Sequence, residues 1–245
     1  MEWFDCHAGF GVPVKSPGGV IASAQELVEE LDFCGVAEGL VYHASVVEQG
    51  PEVGNQRVVE ETEGEPRLHA TWAMLPAQTG ELGTMEQFLA GMREHGVRAL
   101  RAYPEQHRYL LNGVTFGPLL EELTGRRIPL LVGPDWKGIT SLLAEFPELT
   151  LIVVRHGSWG DDRYFRPLLE RYRNLHVDTS NYQIDHGIED VVRKYGPERL
   201  LYGSGSPELQ MGAALLTTAQ ADIDDDAKAA IAGGNLRRLL AEVKL

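Results

Sequence analysis

Short apolar runs alternate with longer amphipathic segments along almost the whole chain. Strand-like runs lie at residues 3–7, 39–43, 68–75, 97–103, 128–132, 149–156, 175–178 and 199–203. Helical spacing of apolar residues follows at residues 23–35, 56–63, 84–96, 116–124, 139–146, 164–172, 188–195, 209–219 and 225–240. This alternation predicts parallel strands joined by right-handed crossovers, and eight units favour an α/β fold, a closed (β/α)8 TIM barrel. We interpret residues 1–245 as a single domain of this kind.

Local signals mark where several of the helices begin and end. Ser23 and Thr84 are each followed three residues later by Glu or Gln, which is the pattern of a capping box. Gly35 is placed to end the first helix. Ser206 precedes a proline and predicts a helix N-cap there. The acidic run at residues 222–226 suits the first turn of the last helix, where carboxylates face the positive end of the dipole.

The charge balance narrows the range of partners. The chain has 36 Asp and Glu against 22 Lys and Arg, a formal net charge of −14. Nucleic acids and anionic membranes attract basic proteins, so we expect neither as a partner. Two cysteines and the lack of a signal peptide or of an apolar run of roughly 20 residues predict a cytoplasmic protein. We expect a small-molecule substrate, and a homo-oligomer is compatible with this composition.

The sixth apolar run ends in a polar residue, His156, followed by Gly157 and Trp159. A buried strand that ends in this way delivers its last side chain to the edge of the sheet. His156 has three interpretations at this stage: a metal ligand, a proton carrier, or a packed core residue.

In an α/β barrel the residues at the carboxyl ends of the strands carry the chemistry. The candidates for catalysis are His7, His156, Tyr103 and Asp178. The candidates for substrate binding are His43, Arg101, Trp136, Trp159 and Ser204. Histidines titrate near neutral pH and serve as acid and base, an arginine or Tyr103 would hold a carboxylate, and the tryptophans would wall the pocket. Asp5 shares a strand face with His7 and is expected to orient it.

Four short motifs, in this order, resemble those of the amidohydrolase superfamily. Residues 5–9, Asp-Cys-His-Ala-Gly, are similar to its first-strand Asp-x-His-x-His signature. His156 and Gly157 resemble its strand-six His-Gly pair, and residues 200–207 resemble its strand-eight motif. Residues 235–240 are similar to its closing Asn-led helix. The resemblance implies a metal-dependent hydrolase or decarboxylase barrel with His7 and His156 as metal ligands.

Three positions depart from that family pattern. The second histidine of strand one is Gly9, and the aspartate of strand eight, a ligand and base in the family, is Gly205. No histidine follows strand five, where Asp135 is the nearest carboxylate. Only His7 and His156 of the implied ligand set survive, whereas catalytic zinc takes three protein ligands. We therefore expect an incomplete site for a divalent metal, with Zn2+ foremost, and free space at the barrel mouth beside the two glycines.

The sequence leaves three functional hypotheses open. The first is an amidohydrolase-like hydrolase or related lyase for a small carboxylated or cyclic molecule. The second is a catalytically inactive barrel that binds a metabolite or a partner protein. The third is a metal-independent enzyme of the lactonase or isomerase kind, with His156 as acid or base. Metal content, the packing of the barrel mouth and the positions of His7 and His156 discriminate among them.

Overall fold

The structure is a computed structural model that describes residues 1–13, 19–157 and 160–245. Its strands are β1 (Trp3–Phe10), β2 (Val36–His43), β3 (Leu68–Ala70), β4 (Trp72–Ala73), β5 (Leu100–Ala102), β6 (Leu130–Val132), β7 (Leu151–Val153), β8 (Leu175–Asp178) and β9 (Leu200–Leu201). They form a three-stranded sheet in the order β1-β2-β3 and a six-stranded sheet in the order β4 to β9. Every pair of neighbouring strands is parallel, as the alternating pattern predicts.

Backbone hydrogen bonds connect the two sheets on both sides. Thr71 lies between β3 and β4 and donates to the carbonyl of Val41 in β2, so β3 and β4 are two pieces of one interrupted strand. Cys6 of β1 donates to the carbonyl of Tyr202, directly after β9. Ala8 also pairs in parallel with Ser206. The eight predicted strands thus follow one another around a (β/α)8 barrel, and the predicted fold class is confirmed. The assignment of the chain to one domain stays a prediction.

The helices surround these strands. They are α1 (Ala24–Cys34), α2 (Ser45–Glu48), α3 (Pro51–Thr62), α4 (Met85–Glu94), α5 (Gly113–Arg126), α6 (Trp136–Glu145), α7 (Asp162–Arg171), α8 (Gly187–Tyr195), α9 (Met211–Ala219), α10 (Asp225–Ala229) and α11 (Asn235–Ala241). Short 3-10 turns lie at Ala77–Thr79 and Pro197–Arg199, and a π-helical turn at Ala230–Gly234 joins α10 to α11. None of the helices in the described parts of the chain is long and apolar enough to cross a membrane.

The capping signals hold at four of the five positions. Ser23 accepts from the amide three residues on, and Thr84 forms a complete capping box. Gly35 ends α1 with a φ of 71°, a left-handed conformation that glycine adopts without a steric penalty. Asp224 caps α10 and two further aspartates lie in its first turn.

The prediction at Ser206 was wrong. The peptide bond between Ser206 and Pro207 is cis, and α9 begins only at Met211, after Gln210 as its N-cap. Ser206 instead pairs with β1, so the segment is used to complete the barrel. Strand β1 also continues to Phe10, three residues past the predicted end, because this pairing and the pairing with β2 satisfy its backbone.

The barrel interior is apolar at one end and polar at the other. Its apolar side chains come from alternate positions of the strands, and α11 covers the amino-terminal end with Leu236, Leu239 and Leu240. A larger apolar cluster lies between the strands and the surrounding helices. Beyond this apolar layer, towards the carboxyl ends of the strands, lie the buried polar residues His7 of β1 and Asp178 of β8, whereas His176 is buried at the start of β8.

Candidate active site

The carboxylate of Asp178, at the end of β8, is the centre of the buried polar cluster. Its Oδ1 accepts a hydrogen bond from the amide of Arg155 at 3.0 Å, and its Oδ2 accepts one from the Ser180 hydroxyl at 2.8 Å. Nδ1 of His7 lies 3.5 Å from the same Oδ2. Nε2 of His156 lies 2.9 Å from the backbone oxygen of Asp178. The tertiary structure therefore places two of the other predicted catalytic residues, His7 and His156, next to Asp178.

His7 is the titratable group of this cluster that suits proton transfer. It is 4% exposed, and burial lowers its pKa more than the neighbouring carboxylate of Asp178 raises it. The positive charge of Arg101 lowers that pKa further. The neutral imidazole is therefore the form present at neutral pH, and the carboxylate beside it favours the cation that forms when the ring accepts a proton.

Asp5 does not orient the ring of His7, and that expectation was wrong. Its Oδ1 accepts from two backbone amides, those of His7 and Ser204, each at 2.9 Å. These bonds join β1 to the segment that follows β9. Burial raises the pKa of Asp5 despite them, and its Oδ2 has no hydrogen-bond partner within the parts of the chain that the structure describes.

His156 is fully buried and packed between aromatic rings. Phe165 and Tyr182 lie at centroid distances of 5.2 Å each. A backbone carbonyl only accepts, so the bond from Nε2 to the Asp178 oxygen places the proton on Nε2. Nδ1 is buried and has no hydrogen-bond partner among the described residues. This packing is typical of a buried structural histidine rather than of a residue that exchanges protons with a substrate.

The side chain of Arg101 lies inside the barrel. Its Nε donates to the Thr71 hydroxyl at 2.8 Å, and Nη2 donates to the carbonyls of Cys6 and Leu40 at 3.3 Å. The guanidinium lies 4.7 Å from the ring centre of Tyr42. It is 3% exposed, so it supplies a fixed positive charge beneath the polar cluster.

Tyr103 follows β5 and is half-buried. Its hydroxyl oxygen has no hydrogen-bond partner among the described residues. Burial raises its pKa, while the nearby charge of Arg101 opposes that rise. The phenol is therefore protonated at neutral pH and can donate a hydrogen bond.

The candidates for substrate binding are spread over separate environments. His43 pairs with the Ser45 hydroxyl through Nδ1 and with Glu61 through Nε2 at 3.3 Å. Ser204 is fully buried and donates to the carbonyl of His7 at 3.4 Å. Trp136 begins α6, is 8% exposed and donates through Nε1 to Asp161 at 3.1 Å. Trp159 lies outside the described residues.

The two glycines do not leave space at the barrel mouth, so that expectation was wrong. A Cβ on Gly9 would lie 2.5 Å from Cζ of Tyr42. A Cβ on Gly205 would lie 2.9 Å from Cδ1 of Leu209, and the φ of 67° there also disfavours any other residue. The volume that a larger side chain would need is taken by Tyr42 and Leu209.

Arg155 and Glu208 also belong to the mouth, and the sequence reasoning missed them. Arg155 has a φ of 55°, and its Nη1 lies 3.1 Å from Oε2 of Glu208. Both charges contribute to the pKa shifts of Tyr42 and Tyr103, so the ion pair lies near these two side chains at the barrel mouth. Arg155 is next to the predicted residue His156, but the local sequence does not indicate that it forms an ion pair with Glu208, which is distant along the chain.

The donor set does not fit a tightly bound metal ion. Within residues 1–13, 19–157 and 160–245, no group of three or more His, Cys, Asp or Glu is arranged to hold one. His156 uses Nε2 on a carbonyl, and two imidazoles do not complete the coordination of zinc. We derive no chemical step through a metal.

A parallel barrel with buried acid, base and arginine at the carboxyl ends of its strands belongs to the class of (β/α)8 proteins with a site in that position. The family model described as Amidohydrolase matches residues 5–241. The chain therefore belongs to the amidohydrolase family, as the sequence motifs imply. No curated protein matches the sequence.

Solved structures show the same fold at low identity. The 5-carboxyvanillate decarboxylase of Sphingomonas paucimobilis is 13% identical, with a TM-score of 0.75 and 99% of each chain covered. A probable 2-pyrone-4,6-dicarboxylic acid hydrolase of Acinetobacter baumannii is 16% identical, with a TM-score of 0.74, covering 98% of this chain and 100% of that one. An uncharacterized TIM-barrel protein of Bordetella bronchiseptica is 21% identical, with a TM-score of 0.71, covering 90% of this chain and 83% of that one.

Proposed function

We propose that this protein is a hydrolase or related lyase for a small carboxylated or cyclic molecule, with His7 as the proton-transferring residue and Asp178 as its partner. The observation that carries the proposal is the buried pair of His7 Nδ1 in β1 and Asp178 Oδ2 at the carboxyl end of β8, which lie 3.5 Å apart. Hydrogen bonds from the Arg155 amide and the Ser180 hydroxyl fix the Asp178 carboxylate, so it is held beside His7 before any substrate binds.

The pair suits general acid–base chemistry at neutral pH. In hydrolysis the neutral ring of His7 would accept a proton from water as the water oxygen bonds to a carbonyl carbon. The same proton would then pass to the leaving oxygen as its bond to that carbon breaks. In decarboxylation the ring would first take up a proton from solvent and would then deliver it to the carbon that loses carbon dioxide. The charge of Asp178 stabilises the protonated ring in both cases.

A carboxylated substrate is supported by the fixed charges and by the relatives. Arg101 is a buried cation beneath the cluster, and Arg155 is a half-exposed cation above it. The relatives named above carry titles that refer to a carboxyvanillate and a pyrone dicarboxylate. A hydroxyl on Tyr103 that lacks a partner would donate to a carbonyl or carboxylate oxygen.

A catalytically inactive barrel is the second candidate, and one observation favours it. The spaces beside Gly9 and Gly205 are filled by Tyr42 and Leu209 rather than left open. His156 packs against Phe165 and Tyr182 and its Nε2 is bonded to the Asp178 carbonyl, so we propose His7 rather than His156 as the proton-transferring residue. The role of His156 as acid or base in a metal-independent lactonase or isomerase stays a prediction. The homo-oligomer and the cytoplasmic location stay predictions.

The test is a substrate panel measured with matched variants. Purified protein is incubated with carboxyvanillate, dihydroxybenzoates, pyrone dicarboxylates and simple lactones, and product is quantified by ultraviolet absorbance and chromatography. We expect turnover of at least one compound and a loss of about 10²-fold or more in His7→Gln, which is the usual contribution of general acid–base catalysis.

His95→Gln is the control, because His95 is an exposed residue that ends α4 away from the cluster. The pKa of His7, followed by NMR, provides a readout that does not need a substrate. Asp178→Asn should lower this pKa further, because it removes the partner that raises it. Full activity in His7→Gln would contradict the assignment of His7, and binding without turnover across the panel would favour the inactive barrel.

A further inference from the structure

We propose that a cleft at the amino-terminal end of the barrel binds a small molecule that carries phosphate groups. The cleft has a volume of about 440 Å³ and is lined by residues that precede β6, β8 and β9 and by residues of α11. It therefore lies at the end of the barrel opposite to His7 and Asp178. Neither the family nor the candidate active site accounts for it.

The charge of this cleft is opposite to that of the protein. Four arginines line it, with Glu198 as the single acidic residue of the lining, in a chain whose net charge is −14. Arg127 and Arg238 both pair with one carboxylate, that of Glu242. Arg173 is exposed and has no ion-pair or hydrogen-bond partner for its side chain among the described residues. The arginines thus outnumber the carboxylates near them, and the guanidinium of Arg173 is available to bind an anion.

The floor of the cleft contains a buried arginine, Arg199, whose guanidinium is fixed by hydrogen bonds. Arg199 is 7% exposed, and its Nε and Nη2 donate to the carbonyl of Leu175 at 3.1 and 2.8 Å. Nη2 also donates to the carbonyl of Tyr172. These bonds hold the guanidinium in one orientation and leave Nη1 without a partner among the described residues. A donor that is already ordered loses little entropy when an anion binds.

His176 reports the electrostatic potential at this floor. It lies on the barrel interior at the start of β8, and its Nδ1 donates to the carbonyl of Glu198 at 2.9 Å. Burial lowers its pKa first, and the positive charges of Arg199 and Arg238 lower it further, to about 3. Only the part of this shift that comes from Arg199 and Arg238 indicates a positive potential at the floor, because burial disfavours charges of either sign.

Phosphate is the anion that this arrangement favours. The planar guanidinium donates two parallel hydrogen bonds to phosphate oxygens, and several arginines can surround one such group. The net charge of −14 disfavours anion binding to the protein in general, so a cluster of four arginines is a local exception. The volume admits a small molecule rather than a polymer.

The experiment is calorimetric titration of the full chain with pyrophosphate at low ionic strength. Arg173→Ala and Arg238→Ala each remove one guanidinium, and circular dichroism verifies that the variants fold. We expect each to bind pyrophosphate about tenfold more weakly than the unmodified chain, which is typical of a lost charge-assisted hydrogen bond. Arg93→Ala is the matched control, since it removes the same charge from an exposed position of α4.

Three results would overturn the proposal. Equal weakening in Arg93→Ala would show that only net charge matters. Weakening in Arg155→Ala but not in Arg173→Ala would place the anion at the opposite end of the barrel. Tighter binding of citrate than of pyrophosphate, with the same dependence on Arg173, would replace phosphate with carboxylate as the ligand class.

Discussion

His176 provides a stability prediction whose size follows from the structure. The folded protein holds its pKa at about 3, against an ordinary value of 6.5. Between these two values the unfolded chain binds a proton at this residue and the folded chain does not. The stability that the neutral ring contributes is therefore complete above pH 6.5 and is lost as the pH falls toward 3.

The magnitude is large enough to measure in a narrow pH range. One pH unit corresponds to about 1.4 kcal/mol for one proton, so the full range amounts to about 5 kcal/mol. Between about pH 7.5 and about pH 5.5, His176 alone should lower the free energy of unfolding by about 1.4 kcal/mol. Other buried groups titrate in the same range, so the comparison needs a variant that differs at this residue only.

His176→Asn supplies that comparison, because its amide can still donate to the Glu198 carbonyl. Urea unfolding of both proteins at the two pH values gives four free energies. We expect the unmodified protein to lose about 1.4 kcal/mol more than His176→Asn on acidification, whatever the variant costs at neutral pH. Equal losses in the two proteins would refute the reasoning and show that His176 is protonated without penalty in the folded state.

Three other predictions concern two glycines and metal binding. Gly9→Ala should lower the free energy of unfolding by about 1–3 kcal/mol, because its Cβ would meet the Tyr42 ring at 2.5 Å. Gly117→Ala, in the middle of α5 with nothing within 4 Å of its Cβ, should instead raise it by about 0.5–1 kcal/mol in the same urea titration. Treatment with EDTA should leave the unfolding temperature unchanged in calorimetry, because the described residues contain no group of three metal donors. Stoichiometric metal in the purified protein, or a fall in that temperature, would contradict this last expectation.

The sequence by itself determined the alternating order of strands and helices and the eight strand positions of the barrel. The apolar runs are long enough to form buried strands, and the helices that separate them leave only a parallel arrangement. Ser23, Gly35 and Thr84 act within a few residues of themselves, so their effects are readable from the local pattern. The strand ends likewise predicted that His7 and Asp178 would lie at the same end of the barrel.

Only the tertiary structure decided which polar groups touch and which spaces are filled. Nothing local indicates that Asp178 contacts His7 or that Tyr42 fills the space beside Gly9, because these contacts join distant segments. The same holds for the arginine cleft, where residues from Arg127 to Arg238 meet at one end of the barrel. Period and capping act over a few residues, whereas burial and pairing depend on how the whole chain closes. For that reason the sequence located the candidate site, and the fold determined which of its residues are placed to act.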